Sequence, residues 1–134
     1  MVNGMAYVSN FRELEVYKLS RMLSAEIYNL SKKFPKEETY SLTDQIRRSS
    51  RSIGAQIAEA WGKRRYINHF ISKLTDALGE EYETLHWIEI AGDCNYITDQ
   101  EANDLLSKCN SIGKMLSVMI SKADLFCIKQ EVHR

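Results

Sequence analysis

The sequence predicts an all-α fold, an antiparallel up-down-up-down four-helix bundle built from one domain of 134 residues. Four stretches of about 20 to 28 residues repeat apolar side chains at steps of three and four, the spacing of one buried helical face. The connections between these stretches are short, which favours antiparallel neighbours. The chain contains only one proline and six glycines. Because both residue types weaken helix interiors, their scarcity favours long helices.

The first helix is predicted from about Arg12 to Lys33. Asn10 precedes it as an N-cap, and Pro35 ends it because a proline disfavours helical geometry in the residue before it. The predicted buried face consists of Val16, Leu19, Leu23, Ile27, Leu30 and Phe34.

The second helix is predicted to begin at Glu37 or Ser41 and to end at Lys63. Its predicted buried face is Leu42, Ile46, Ser50, Ile53, Ile57 and Ala60 or Trp61. At about 100° per residue, the opposite side carries Arg47, Arg48 and Arg51, followed by Ala55, Ala58 and Gly62. Small residues let another backbone approach closely, so we expect Ala55, Ala58 and Gly62 to form an oligomer interface. The alternative is that a neighbouring helix of the same bundle covers part of this side.

The third helix is predicted from Tyr66 to Asp93, and Gly79 within it is expected to mark a close helix contact. The fourth helix follows Thr98 and extends to about Phe126, with Glu101 completing a capping box. The predicted buried residues are Ile67, Phe70, Ile71, Leu74, Leu78, Leu85, Ile88 and Ala91 or Gly92 in the third helix, and Leu105, Cys109, Ile112, Leu116, Met119, Ala123 and Phe126 in the fourth.

The rest of the composition indicates a cytoplasmic protein. Three cysteines at wide spacing fit neither a disulfide framework nor a zinc site, so we expect reduced thiols. No apolar run approaches the roughly 18 residues of a membrane span, and residues 1–10 do not have the pattern of a signal peptide. We expect residues 1–10 and 128–134 to be flexible ends.

Charge is distributed unevenly although the formal net charge is zero. Residues 1–67 contain 12 Lys and Arg against 7 Asp and Glu, whereas residues 68–134 contain 6 against 11. This asymmetry fits complementarity between helix pairs within one chain. It also fits a basic face for an anionic partner, or head-to-tail contact between subunits.

The sequence contains no catalytic motif, and we therefore predict a non-enzymatic protein without metal or cofactor. A di-iron bundle needs two Glu-x-x-His motifs, and the chain has one, from Glu83 to His86. Glu59, Glu80 and Glu83 are placed to cluster between the second and third helices, but exposure to solvent or pairing with the arginines is the stronger expectation. The alternative, an enzyme, would require a polar pocket with Glu59 near Glu83 or His86.

Basic and aromatic residues form the remaining pattern. The candidate nucleic-acid-binding residues are Arg47, Arg48, Arg51, Lys63, Arg64 and Arg65, the last three lying between Trp61 and Tyr66. Guanidinium groups match phosphate geometry, and aromatic rings can stack on unpaired bases. The alternative is structural, because basic residues at a helix C-terminus stabilise the helix dipole and Trp61 lies near the core face.

One further pattern extends over nearly the whole chain and consists of Phe11, Leu14, Phe34 to Glu38, Tyr40, Leu42, Gln45 to Arg48, Ser52, Ile53, Ile57 to Glu59 and Glu83. These residues resemble the motif of the four-helix-bundle family of 23S rRNA intervening-sequence proteins. The sequence departs from the family pattern at Gln56, where Asn is usual, and at Ala60, where Gly is usual.

The resemblance implies a small bundle that assembles into a ring-like homo-oligomer, a pentamer. The chain is also similar to the accessory protein of diversity-generating retroelements, which binds nucleic acid and a reverse transcriptase. We therefore predict an oligomeric protein that binds structured RNA or a ribonucleoprotein through a basic face of the second helix. The alternative is a structural or protein-interaction module in which Arg47, Arg48 and Arg51 form subunit contacts.

Overall fold

A computed structural model describes residues 8–128 and confirms the all-α four-helix bundle. Within this range the four long helices are α1 (Glu15–Ser31), α2 (Asp44–Gly62), α3 (Ile67–Asp93) and α4 (Asp99–Ser121). Contacts join α1 to α2, α2 to α3, α3 to α4 and α4 back to α1. The α1–α2 edge of the bundle therefore lies opposite the α3–α4 edge.

The four predicted apolar faces meet in one core. Its largest fully buried apolar side chains are Leu23, Ile27, Leu42, Ile46, Ile53, Ile57, Phe70, Leu74, Ile88, Ile112 and Leu116. Between α2 and α3 the core also contains a polar contact, in which the Thr84 hydroxyl donates to Ser49 Oγ at 2.9 Å. Both residues are fully buried, so each hydroxyl depends on such partners to offset the loss of water. The core thus confirms most of the buried positions predicted from spacing.

α1 begins at Glu15 rather than at Arg12. Asn10 does act as a cap, since its side chain accepts a hydrogen bond from the Arg12 backbone N–H, but it caps a separate 3₁₀ turn at Phe11–Glu13. Leu14 then adopts an extended conformation and is buried. Burying this leucine interrupts the helix that sequence spacing alone would continue.

The α1–α2 connection is more ordered than its sequence suggests. After Pro35 it forms a 3₁₀ turn (Lys36–Glu38) and a π-helical turn (Thr39–Thr43) that leads into α2. The Tyr96 hydroxyl, in the α3–α4 turn, donates to the Glu38 carboxylate at 2.7 Å. The hydrogen bond from Ser41 and then the one from Tyr96 hold the pKa of Glu38 below its usual value, and the bond to Glu38 raises the pKa of Tyr96 to about 12. The contact ties the two turns at this end of the bundle together.

The capping box of α4 is confirmed. Thr98 Oγ1 accepts from the Glu101 N–H at 3.1 Å, and the Thr98 N–H donates to Glu101 Oε1 at 2.9 Å. The helix ends at Ser121 instead of Phe126, because a 3₁₀ turn at Ala123–Leu125 follows. This turn brings the Phe126 ring to 5.9 Å from Phe70, measured between ring centres.

Two predicted packing positions are wrong. Ile67 lies at the first turn of α3 and is 42% exposed, so it is not part of the core. Gly79 faces open space, and an added Cβ there would have no described atom within 4 Å. The close contact occurs instead at Gly54 of α2, where an added Cβ would lie 3.1 Å from Ser20 Oγ of α1.

The predicted flexible ends overlap the described range only at residues 8–10 and 128. There, Ser9 and Asn10 make hydrogen bonds to the Phe11–Glu13 turn, and the Ile128 N–H donates to the Arg64 carbonyl. Residues 1–7 and 129–134 lie outside the described residues. Among residues 8–128, no helix combines the length and apolar character needed to cross a membrane.

Candidate nucleic-acid interface

The three arginines of α2 do not form one face in the structure. Arg48 points towards α3, where its Nη2 lies 2.6 Å from Glu83 Oε2 and its Nη1 lies 3.7 Å from Glu80 Oε1. The same Glu83 oxygen accepts a hydrogen bond from the Trp87 indole N–H at 3.0 Å. Two carboxylates therefore already neutralise Arg48, as expected for Glu80 and Glu83.

Arg47 and Arg51 point the other way, towards α1, and converge with Lys32 on the ring of Tyr28. The guanidinium carbons of Arg47 and Arg51 lie 4.7 and 5.4 Å from the ring centre, and Lys32 Nζ lies 4.9 Å from it. Arg47 is further oriented by a 2.7 Å hydrogen bond from its Nε to Ser31 Oγ. We call Tyr28, Lys32, Arg47 and Arg51 the Tyr28 cluster.

The Tyr28 cluster carries three positive charges and no compensating acid. Within residues 8–128, no carboxylate oxygen lies within 4 Å of the charged groups of Lys32, Arg47 or Arg51. Tyr28 itself is 40% exposed. Because like charges held together repel, this arrangement favours an external anion, and the π face of the ring offsets only part of the repulsion.

A second arginine–tyrosine pair extends this surface along α1. Arg21 Nη1 donates to the Tyr17 hydroxyl at 3.2 Å, and both residues border the α1–α2 groove together with Arg51. The spacing of Tyr17, Arg21, Tyr28 and Lys32 places all four within about 60° around the helix. That pattern could be read from the sequence, but it involves α1, whereas the predicted site consisted of residues in α2 and in the turn after it.

Two of the three predicted interface residues lie along the same groove. Ala55 is exposed and Ala58 half-buried, and both line the α1–α2 groove, where Gly54 permits the close approach of the two helices. Gly62, the last residue of α2, is exposed, and an added Cβ there would have no described atom within 4 Å. A surface of small side chains thus separates the Tyr28 cluster from the C-terminal end of α2.

Lys63, Arg64 and Arg65 lie at that other end, about 18 Å along the helix axis from Arg51. Arg64 is largely structural, since its guanidinium stacks 3.7 Å from the Trp61 ring centre and its Nε donates to the Trp61 carbonyl. Burial also lowers the pKa of Arg64. Lys63 and Arg65 are exposed. The predicted basic residues therefore lie in three separate places rather than in one continuous patch, with Arg48 beside α3, Arg47 and Arg51 beside α1, and the others after α2.

The residues considered for catalytic chemistry are dispersed. Glu59 pairs with Lys73 at 2.8 Å instead of joining Glu80 and Glu83. His86 packs edge-on against Trp87, and burial raises the pKa of the Cys109 thiol to about 12. Over the described part of the chain, no three His, Cys, Asp or Glu side chains are grouped so as to hold a metal ion.

Comparison with known proteins relates this bundle to one family. The family model described as 23S rRNA-intervening sequence protein matches residues 12–118, nearly the whole bundle. A crystal structure of a protein of unknown function from the S23 ribosomal protein family of Bacteroides thetaiotaomicron VPI-5482 has 34% sequence identity and a TM-score of 0.71. That match covers 78% of this chain and 97% of the other. The search of curated proteins found no match. The chain therefore belongs to the 23S rRNA-intervening sequence protein family, as its sequence pattern predicts.

Proposed function

We propose that this protein is a non-enzymatic, oligomeric binding protein that binds structured RNA or a ribonucleoprotein through the α1–α2 edge of the bundle. The observation that supports this function is the Tyr28 cluster, in which three cations surround one exposed ring and no described acid neutralises them. The proposed cellular location is the cytoplasm.

Each member of the cluster has a role in this proposal. Arg47 and Arg51 contact phosphate groups, since a guanidinium donates two parallel hydrogen bonds to an anion. Lys32 adds a third charge, and the exposed edge of Tyr28 packs against sugar or an unpaired base. Arg21 and Tyr17 continue the contact along the groove, whereas Lys63 and Arg65 form a second contact at the far end of α2. Arg48 has a supporting role, because its charge is already paired with α3.

The proposed assembly is a homopentameric ring, following the family resemblance. Ala55 and Ala58 lie uncovered in the α1–α2 groove, and these small side chains would let a neighbouring subunit approach closely. This feature also favours the second candidate function, a structural module in which acids of the next subunit pair with Arg47 and Arg51. The two candidates assign different partners to the same arginines.

The test compares two variants with the same loss of charge. Arg47→Gln/Arg51→Gln removes two cations from the Tyr28 cluster, and Lys114→Gln/Lys122→Gln removes two exposed cations from α4 and the turn after it. We expect the first variant alone to bind a fluorescent RNA hairpin at least tenfold more weakly. Its log affinity should also depend less steeply on log salt, by about one for each phosphate group that the variant no longer binds.

Three other results separate the candidates. If the wild-type protein binds no RNA at low salt, RNA binding is excluded. An equal loss of affinity in both variants would mean that only net charge matters. A smaller native mass for Arg47→Gln/Arg51→Gln, with RNA affinity unchanged, would favour the subunit-contact function.

A further inference from the structure

A groove on the α3–α4 edge, opposite the Tyr28 cluster, contains a buried acid without a partner. Glu81 of α3 is only 2% exposed. Within residues 8–128 its carboxylate takes part in no hydrogen bond and no ion pair. Other glutamates on this helix, such as Glu80 and Glu83, pair with Arg48. A buried carboxylate without such compensation carries a large desolvation cost.

The carboxylate of Glu81 fits against the backbone of α4 at Gly113. A Cβ added to Gly113 would lie 2.9 Å from Glu81 Oε1 and 3.3 Å from its Cδ. The missing side chain therefore provides the space that the carboxylate occupies. Any larger residue at position 113 would displace the acid, so the glycine and the glutamate together define a built feature of the helix interface.

This feature opens into a groove of about 630 Å³ between α3 and α4. Glu81 lines the groove together with the apolar side chains of Leu78, Leu85 and Val118. Lys114 also lines it, but the structure places no Lys114–Glu81 ion pair within 4 Å among the described residues. The groove thus combines a carboxyl group that pairs with no other described residue and an aliphatic wall.

We propose that the α3–α4 groove binds an aliphatic primary amine, whose ammonium group pairs with Glu81 and whose alkyl chain packs against Leu78, Leu85 and Val118. A cation that reaches the carboxylate supplies the charge compensation that residues 8–128 do not provide. A flexible alkyl chain can bury its methylene groups while it carries the charge at one end. The chemistry is shared by free alkylamines and by a lysine side chain of a partner. The site is independent of the proposed RNA-binding surface.

The experiment uses three probes with the full-length protein. n-Butylammonium and Nα-acetyl-lysine amide present the same butylammonium group, free or attached to a peptide unit, and butan-1-ol is the uncharged control. Binding is followed through the NMR shifts of the Gly113 amide and the Glu81 carboxyl carbon at pH 8 in phosphate buffer. The other titratable groups that line the groove are Lys114 of α4 and Tyr82 of α3. The buried Cys109 thiol of α4 also interacts electrostatically with Glu81.

We expect saturable shifts with both amines and none with butan-1-ol, and at least a tenfold loss of affinity in Glu81→Gln. Lys114→Gln should bind at least as tightly as the wild-type protein, because a competing cation is removed. Tighter binding of the lysine probe would identify a polypeptide as the source of the amine, and tighter binding of n-butylammonium a free amine.

Unchanged binding by Glu81→Gln, or equal shifts with butan-1-ol, would overturn the proposal. A rise in the measured pKa of Glu81 in Lys114→Gln, without any added amine, would also overturn the proposal. It would show that Lys114 already compensates the charge of Glu81. If Glu81→Gln does not fold, the proposal is tested by titrating Glu81 in the wild-type protein. The proposal then requires that n-butylammonium lowers the measured pKa of Glu81 and that butan-1-ol leaves it unchanged.

Discussion

Glu81 shows how one buried side chain makes the stability of the bundle depend on pH. Burial raises the pKa of this carboxyl from 4.5 to about 7. Protonation therefore favours the folded state. The resulting stabilisation is fully present below pH 4.5, the value for the unfolded chain, and is lost as the pH rises through 7.

We predict that the wild-type protein loses about 2 to 3 kcal/mol of folding free energy between pH 5 and pH 8 because Glu81 becomes ionised. Urea denaturation in an amine-free buffer measures this loss. Glu81→Gln should remove most of the pH dependence, whereas Glu89→Gln, at an exposed position of α3, should retain it. An equally steep dependence in Glu81→Gln would assign the effect to another group.

At the level of the helix, two glycines in similar backbone settings have different surroundings. Gly79 in α3 and Gly113 in α4 both lie well inside their helices. An added Cβ at Gly79 meets no described atom within 4 Å, whereas one at Gly113 would collide with the Glu81 carboxylate. Helix propensity therefore decides the effect of substitution at the first position, and packing contributes at the second.

We expect Gly79→Ala to stabilise the protein by about 1 kcal/mol, the usual advantage of alanine over glycine inside a helix. Gly113→Ala should gain less or be destabilising in the wild-type background. In a Glu81→Ala background the same change should recover the full gain, because the colliding carboxylate is absent. Urea denaturation of the single and double variants gives the coupling free energy between positions 81 and 113. Additive effects would show that the Glu81–Gly113 contact does not contribute to stability.

At the scale of the whole molecule, the two edges of the bundle differ in character. The α1–α2 edge presents the cations of the Tyr28 cluster, which no described acid neutralises. The α3–α4 edge presents the groove with Glu81. This difference follows the charge asymmetry of the two halves of the chain. Part of that asymmetry is satisfied internally, by Arg48 with Glu80 and Glu83.

For the proposed pentamer, native mass spectrometry should give about 78 kDa, five chains of 15.5 kDa each. Ala55→Glu/Ala58→Glu should lower this mass, because it places long charged side chains in the groove where the neighbouring subunit would pack. The monomer should retain its helical circular dichroism, since Ala55 is exposed and Ala58 half-buried. A wild-type mass of 15.5 kDa would exclude stable assembly, and an unchanged mass in the variant would place the interface elsewhere.

The placement of the helices could be predicted because it depends on local rules. Apolar spacing located the buried faces that contain Leu23, Ile53 and Ile112, and the Thr98 capping box located the start of α4. The errors arose where a tertiary contact overrides such a rule. Leu14 is buried in the core in an extended conformation, which interrupts the first helix. Ile67 is exposed, because no neighbouring described residue buries it.

The sequence by itself therefore determined the four helices, the core and the family of this protein, because these depend on residue spacing along the chain. Only the tertiary structure decided which charges are neutralised. Arg48 and Glu83 are 35 residues apart in sequence, and their pairing depends on which helix lies beside α2. The same packing leaves Arg47 and Arg51 over Tyr28 without a described acid and encloses Glu81 against Gly113. Charge pairing is a property of neighbours in space, and sequence spacing alone does not specify those neighbours.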